Sequence, residues 1–331
     1  MGVLVTGGAG YIGSHIVLEL LDRGERVLVV DDLSTGKRSA VPESASFVEG
    51  NVGDDELLSS LIRRHQIDAI IHCAGSVVVP ESIINPLKYY QNNTMHSRAL
   101  IESAVRSGVR DFVFSSTAAV YGIPASIPVD EDAPLMPISP YGSSKVMTEM
   151  MLRDVANAHS LRYLALRYFN VAGADPLGRA GQSSPSSTHL IKVACEAAVG
   201  MREYVEIYGR DYPTLDGTCI RDYIHVTDLA RAHLSALNYL RNGGQSRALN
   251  CGYGRGHSVL QVIEAVKKQS PRDFDVRYAA RRSGDPEQLV ANNARIRACL
   301  NWQPELDNLD LIVAHALSWE NRIALHRSPS Q

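Results

Sequence analysis

The chain has 331 residues, of which 45% are apolar and 21% charged, and a formal net charge of -3 with Lys and Arg dispersed along it. Such a balance suits a globular enzyme, gives no basis for nucleic acid or an anionic membrane as partner, and leaves small molecules as the expected ligands. No apolar run reaches the roughly 18 residues that a membrane helix requires, and the first residues read as a strand rather than a leader, so a cytoplasmic location is expected.

In chain order, Val3-Leu4-Val5-Thr6 is an apolar β-prone run that leads into Gly7-Gly8-Ala9-Gly10-Tyr11-Ile12-Gly13 and then an amphipathic helix to about Arg23. Glycines at 7, 10 and 13 permit a tight turn, close backbone approach to a pyrophosphate and close helix-on-strand packing, with the helix N-terminus facing the anion. A second strand, Arg26-Val27-Leu28-Val29-Val30, closes at Asp31-Asp32. A carboxylate there accepts hydrogen bonds from ribose hydroxyls and repels a 2′-phosphate, which favours NAD over NADP. Lys37 and Arg38 follow closely and keep NADP open, and Asp31 alone also reads as a turn residue closing a strand.

The rhythm continues with Ser46-Phe47-Val48, a helix over 54–64, the strand Asp68-Ala69-Ile70-Ile71-His72, a helical region over 86–107, and the strand Asp111-Phe112-Val113-Phe114-Ser115. Strands and helices alternating at these lengths imply an α/β fold: a doubly wound parallel sheet with right-handed crossovers. Ligands in such sheets sit beyond the carboxyl ends of the strands. Those ends carry the glycines, Asp31, Asn51, Cys73-Ala74-Gly75, Ser115-Ser116-Thr117 and, after Arg162–Tyr168, the pair Phe169-Asn170.

Ser139-Pro140-Tyr141-Gly142-Ser143-Ser144-Lys145 starts a helix, with Ser139 as cap and Pro140 in the first turn. Tyr141 and Lys145 then share one face, one turn apart, where an ammonium can favour the phenolate and make the pair a proton-transfer device. Thr117 is placed to bond a substrate oxygen beside Tyr141, although a hydroxyl ending a strand also serves as a local backbone cap.

Beyond Asn170, residues 173–187 are rich in Gly, Ser, Pro and Ala and read as a long surface loop. A helix over 188–199, a strand near 205–208, the polar segment 211–221, the strand 222–226, and a helix from Thr227 to Arg241 with Thr227 as cap and Asp228 as first-turn acid follow. The strand-like residues 248–250, a helix from Ser258 and a C-terminal helix over 309–326 complete a smaller mixed α/β lobe. Arg221, Arg281, Arg282 and Asp285 stand out there as phosphate clamps and a sugar-hydroxyl acceptor, with surface ion pairing as the alternative. His225, on an apolar strand, reads as a satisfied core histidine. Five cysteines (Cys73, Cys195, Cys219, Cys251, Cys299) lack any Cys-x-x-Cys spacing, which fits packing thiols rather than disulfides or a metal site.

Gly7–Gly13, Asp31, Tyr141-x-x-x-Lys145, Arg221-Asp222-Tyr223-Ile224-His225-Val226-x-Asp228 and the segments Tyr89-Tyr90-x-Asn92-Asn93, Ser115-Ser116-x-Ala118-x-Val120-Tyr121-Gly122, Arg167-Tyr168-Phe169-Asn170 and Asp211–Thr218 together resemble the extended short-chain dehydrogenase/reductase family, in its NAD-dependent epimerase/dehydratase branch. The resemblance covers nearly the whole chain. It implies a Rossmann-type domain over 1–170 holding NAD and a lobe over 171–331 holding a UDP-sugar, with some strands and helices returning to the first domain.

The activity it implies is 4-epimerisation of a UDP-hexose by transient oxidation at C4. In that mechanism Tyr141 is the base, and Lys145 and the cationic nicotinamide lower its pKa while Thr117 bonds the substrate. Cofactor contacts would come from Gly7, Gly10, Tyr11, Ile12, Gly13, Asp31, Asp32, Asn51, Val52, Cys73, Ala74, Gly75, Asn93, Ser115, Tyr141, Lys145 and Phe169. Asn170, His189, Leu190, Ile207, Tyr208, Arg221, Arg282, Asp285 and Leu289 would meet the UDP-sugar, with no metal involved.

Some positions depart from the family pattern. Val77 stands where many members have Lys, Asn51 where Asp is expected, and His189 where some have Asn. Leu289 replaces a larger Tyr that restricts N-acetylated sugars, which suggests that such sugars are accepted. Thr117-Ala118-Ala119 lacks the carboxylates of 4,6-dehydratases. A UDP-xylose or UDP-glucuronate 4-epimerase stays open, as does a NAD-binding regulatory protein without catalysis. A homodimer through the helices near 86–107 and 140–158 is also expected from the resemblance.

Overall fold

The computed structural model describes residues 2–184, 187–270, 272–282 and 285–327. Its strands in chain order are β1 (Gly2–Thr6), β2 (Val27–Asp31), β3 (Ser46–Glu49), β4 (Ile67–His72), β5 (Asp111–Ser115), β6 (Arg162–Tyr168) and β7 (Asn170–Ala172). β8 (Tyr204–Tyr208), β9 (Ile220–His225), β10 (Arg247–Cys251), β11 (Gly256–Ser258), β12 (Asp275–Ala279) and β13 (Gln288–Leu289) follow. Seven of them form one parallel sheet in the order β10-β6-β5-β4-β1-β2-β3. β10, from late in the chain, extends that sheet beyond β6.

Every residue of β1, β2 and β5 is buried, as expected of strands covered on both faces. Because side chains alternate along a strand, Val3, Val5, Val27 and Val29 point to one face, where Ile16, Leu20, Leu229 and Leu237 from helices Tyr11–Asp22 and Val226–Arg241 cover them. Leu4, Leu28, Ile70 and Phe112 point to the other and meet Leu58, Ile62, Leu100 and Leu152 from helices Asp55–Arg64, His96–Arg106 and Pro140–Ala158. Truncating a fully buried residue of this kind, such as Phe112→Ala, costs about 3–5 kcal/mol.

The smaller lobe is organised on β9, which pairs in parallel with β7 and β13 and antiparallel with β11, while β8 and β12 form a separate parallel pair. The expected helix starts are present at Asp54, Ser139 and Ser258, the last as a full capping box. One expected cap changes. The helix Val226–Arg241 is capped by the His225 ring, whose Nδ1 accepts from the Thr227 N–H at 3.1 Å, and not by Thr227, while Asp228 is the acid of its first turn as expected. The Asp228 carboxylate also receives the Tyr253 hydroxyl and the N–H groups of Glu305 and Leu306, tying this helix to the C-terminal segments.

Residues 86–107 are also not one regular helix: Pro86–Tyr89 passes into a wide turn at Tyr90–Met95 before His96–Arg106. Within that wide turn Asn93 is buried, and its amide is used internally. The segment expected as a loop over 173–187 is partly structured: Ala174 and Gly181 bridge, and buried Asp175 binds the Arg179 guanidinium. Pro185 and Ser186 lie outside the described residues. Among the described residues, no helix is long and apolar enough to cross a membrane.

Candidate active site

Four strand ends and one helix assemble the site. After β1 the chain turns at Gly7, which has a φ of +69°, and enters helix Tyr11–Asp22. A Cβ on Gly7 would stand 2.6 Å from the Ala74 nitrogen, and one on Gly13 would stand 2.1 Å from the Gly7 oxygen. Backbone is packed on backbone here, leaving the helix N-terminus open to an anion. Gly10 is less constrained, its added Cβ meeting the Gly7 oxygen at 3.2 Å.

Asp31 at the end of β2 receives the Ala9 N–H on Oδ2 and the Leu33 N–H on Oδ1, both at 2.9 Å. The carboxylate is thus locked to the glycine turn, with lone pairs left for hydroxyl donors; burial raises its pKa above the ordinary value. Asp32 receives the Asn51 amide at 3.4 Å, while Asn51 Oδ1 accepts the Gly53 N–H. Val52 is buried in the sheet core, so only its backbone faces a ligand.

At the end of β4, the Cys73 thiol lies 3.2 Å from the Ser115 hydroxyl and burial pushes its pKa up to about 11. Gly75 and Ser76 are held by Asn93, which accepts the Ser76 N–H at 2.7 Å and donates to the Ser76 carbonyl and the Ser144 hydroxyl at 3.0 Å each. Expected as a direct cofactor contact, Asn93 is spent on joining this loop to the Tyr141 helix. Tyr11 likewise donates its hydroxyl to the Gly173 carbonyl at 2.7 Å, a tie between the two halves of the chain. Ile12 packs against the main core.

Tyr141 and Lys145 lie on one buried face of helix Pro140–Ala158, which Ser139 caps by accepting the Gly142 N–H. Lys145 Nζ donates to the Ser115 carbonyl at 3.0 Å and lies 4.8 Å from the Phe114 ring centre. Burial lowers its pKa to about 8. Thr117 serves as the local backbone cap, its hydroxyl accepting the Ala119 N–H at 3.1 Å, and it stands close enough to the Tyr141 phenol to lower the phenol's pKa.

The electrostatics differ from expectation. Burial raises the Tyr141 pKa above its ordinary value, and among the chain's own groups Thr117 is what pulls it down. The Lys145 charge is directed to the Ser115 carbonyl and the Phe114 face instead of the phenol. A cation placed near the phenol would favour its ionised form.

On the other lobe, Phe169 and Leu289 share a small apolar cluster with Ala118, Val120, Tyr121, Val129 and Ala291, so Leu289 forms a wall beside the Thr117 turn. Asn170, His189, Leu190 and Tyr223 line a narrow crevice with room for about 20 Å³. His189 is exposed at the rim of that crevice. Arg221, on β9, pairs with Asp285 at 3.0 Å and stands beside Leu289 in the β9–β13 register. The Arg282 guanidinium lies 3.7 Å from the Tyr208 ring centre. Ile207, expected at the substrate, has its side chain in the main core and offers only backbone. Arg281 pairs with Asp211 at the surface.

A buried charge pair was not anticipated. Glu149 of the Tyr141 helix and Arg167 of β6, both nearly inaccessible, join at 2.7 Å. The signal was present: Glu149 continues the four-residue spacing of Tyr141 and Lys145, and a carboxylate on the buried face of a helix demands a partner. Tyr168, half-buried and with its ring 6.4 Å from that of His233, also lies near Tyr141.

Comparison with known proteins matches this arrangement. The model of the NAD dependent epimerase/dehydratase family matches residues 3–252. The chain is 57% identical over 321 residues to the UDP-glucose 4-epimerase of Azospirillum brasilense, covering 97% of this chain and 92% of that protein. A crystal structure of UDP-glucose 4-epimerase from Brucella ovis in complex with NAD superposes with a TM-score of 0.93 at 43% identity, covering 96% and 97% of the two chains. The UDP-Glc/GlcNAc 4-epimerase of Campylobacter jejuni gives 0.85 at 47% identity, covering 97% and 99%. The matched span runs from the glycine turn through the Tyr141 helix to β10, and the chain therefore belongs to the NAD dependent epimerase/dehydratase family.

Proposed function

We propose that this protein interconverts UDP-glucose and UDP-galactose as an NAD-dependent 4-epimerase, an isomerase acting by transient oxidation at C4. The observation that carries the reading is a buried tyrosine beside Thr117, one turn from a buried lysine, at the rim of a sheet whose glycine turn only backbone can approach. Residues 1–170 hold the cofactor and 171–331 the nucleotide sugar, with β10 and helix Val226–Arg241 returning to the first unit.

The residues present fit a dinucleotide. Gly7, Gly10, Gly13 and the N-terminus of helix Tyr11–Asp22 receive the pyrophosphate, Asp31 the adenosine ribose, and Asp32, Asn51 and Val52 border the adenine. Cys73, Ala74, Gly75, Ser115 and Phe169 border the remainder, and Lys145 holds a ribose. Bound there, NAD supplies a reversible hydride acceptor at sugar C4, and its cationic ring supplies the charge that lowers the Tyr141 pKa. Tyr141 takes the proton of the 4-hydroxyl and returns it, while Thr117 orients that oxygen. Arg221 and Arg282 take the diphosphate, Tyr208 stacks beneath Arg282, and Asn170, His189 and Leu190 border the nucleotide sugar.

Leu289 leaves more room than a tyrosine would, which favours acceptance of N-acetylated sugars, as the name of the Campylobacter jejuni relative states for that protein. The protein acts in the cytoplasm as a homodimer. Val79, Ile83, Ile84, Leu87 and Met95 from one segment and Met147 and Met150 from helix Pro140–Ala158 expose apolar surface that a partner subunit would cover. The test is incubation of the purified protein with UDP-galactose, UDP-GalNAc, UDP-xylose and UDP-glucuronate, without added NAD, and identification of products. Conversion of UDP-galactose supports the reading. Conversion of UDP-xylose or UDP-glucuronate alone would replace the substrate, and bound NAD without any conversion would replace catalysis with a regulatory role.

A further inference from the structure

The segment that presents Thr117 is clamped at both ends by groups outside the reacting set. Ser116 is fully buried, its N–H bonded to the Phe114 and Leu166 carbonyls at 3.0 and 2.9 Å. Its hydroxyl donates to Glu149 Oε1 at 2.5 Å. Glu149 receives the Arg167 guanidinium through Nε at 3.1 and 3.2 Å and through Nη2 at 2.7 Å. The same guanidinium reaches the far end of the Thr117 turn, its Nη1 donating to the Tyr121 hydroxyl at 2.9 Å and to the Glu131 carbonyl at 3.0 Å. Tyr121 in turn donates to Asn250 Oδ1 on β10 at 2.6 Å.

Thr117 caps the short helical turn Ala118–Tyr121, so it lies between two anchored neighbours. The anchor comes from the helix that carries Tyr141 and Lys145, with Glu149 one turn beyond Lys145. That helix approaches the turn so closely that a Cβ on Gly142 would stand 2.7 Å from the Ala119 oxygen. One rigid body therefore delivers both the phenol and the clamp on its partner hydroxyl, and the clamped segment also supplies the Ser115 carbonyl that receives Lys145.

We propose that Ser116, Glu149 and Arg167 are positioning residues for the epimerase reaction, holding Thr117 and the Ser115 carbonyl in register with Tyr141 and Lys145. The proposal rests on the function proposed above. It assigns the buried ion pair a catalytic consequence beyond folding, because a displacement of about 1 Å at a reacting group can cost around 100-fold in rate.

Ser116→Ala tests this most cleanly, since it removes the hydroxyl and leaves the Glu149–Arg167 pair intact. The holoenzyme variant is expected to retain its bound NAD and its KM for UDP-galactose while kcat falls ~10- to 100-fold. Its kcat–pH profile should also shift to higher pH, because Thr117 is the group of the chain that pulls the Tyr141 pKa down. Ser116→Thr, which restores a hydroxyl, should recover most of the lost kcat. Wild-type kcat with an unmoved pH profile in Ser116→Ala would overturn the proposal. So would a loss of NAD and melting temperature with no change in the profile of the remaining active fraction, which would mark a merely structural role. Wild-type enzyme assayed in parallel separates the two claims: no turnover there overturns the activity itself, whereas an active wild type with an unaffected Ser116→Ala overturns only the clamp.

Discussion

Replacing Tyr141 by Phe removes one oxygen from a buried site. The phenol oxygen faces the Thr117 hydroxyl, whose oxygen keeps the Ala119 N–H but whose O–H loses the phenol as an acceptor. The ring stays packed edge-on against Tyr89, their centres 6.4 Å apart. The stability change is therefore that of leaving one buried donor unpaired, about 1–3 kcal/mol, or roughly 2–4 °C per kcal/mol in melting temperature. Turnover loses its proton carrier, which is worth about 10²- to 10⁴-fold, or roughly 3–5 kcal/mol of barrier. The assay is epimerisation of UDP-galactose at saturation, with bound NAD measured after denaturation and a thermal melt on the same preparation. A folded, NAD-containing Tyr141→Phe protein within tenfold of wild-type turnover would refute the reasoning.

Gly13→Ala must push helix Tyr11–Asp22 off the turn, because its Cβ would stand 2.1 Å from the Gly7 oxygen; a destabilisation of about 1–3 kcal/mol with loss of bound NAD is expected by melting and nucleotide release. Gly10→Ala, with its nearest contact at 3.2 Å, should be much milder, and equal effects would contradict the assigned packing. Lys145 has a folded pKa of about 8, below its ordinary value, so between these limits the unfolded chain binds more protons. Its contribution to stability is therefore present above the ordinary lysine pKa and is lost as pH falls to about 8. Urea midpoints of wild type relative to Lys145→Met should rise with pH from about 8 upward, and a flat difference would count against the buried ammonium. Ile84→Asp with Leu87→Asp places two carboxylates in the exposed apolar patch and should yield monomers in sedimentation velocity; an unchanged mass would relocate the interface.

The site was legible where chemistry depends on local spacing. Tyr141 and Lys145, four residues apart behind a Ser-Pro start, had to share a helix face. The glycines after β1 had to form a turn that backbone alone could approach. What spacing could not show was the direction in which Lys145 points its charge. The ammonium binds the Ser115 carbonyl, and burial raises the Tyr141 pKa. Nor could spacing show that Asn93 would hold the Ser76 loop, that Tyr11 would bind the Gly173 carbonyl, or that the Ile207 side chain would lie in the core.

By itself, the order of apolar runs and breaks determined the doubly wound sheet, because fully buried parallel strands need continuous β-branched segments and crossover helices between them. Only the tertiary structure decided that β10 would complete the sheet beside β6, and that Arg167 would find Glu149 at one end and Tyr121 at the other. Such pairings join residues far apart in the chain, and their partners are selected by burial: a charge removed from water must bond whatever opposite group the packing brings to it.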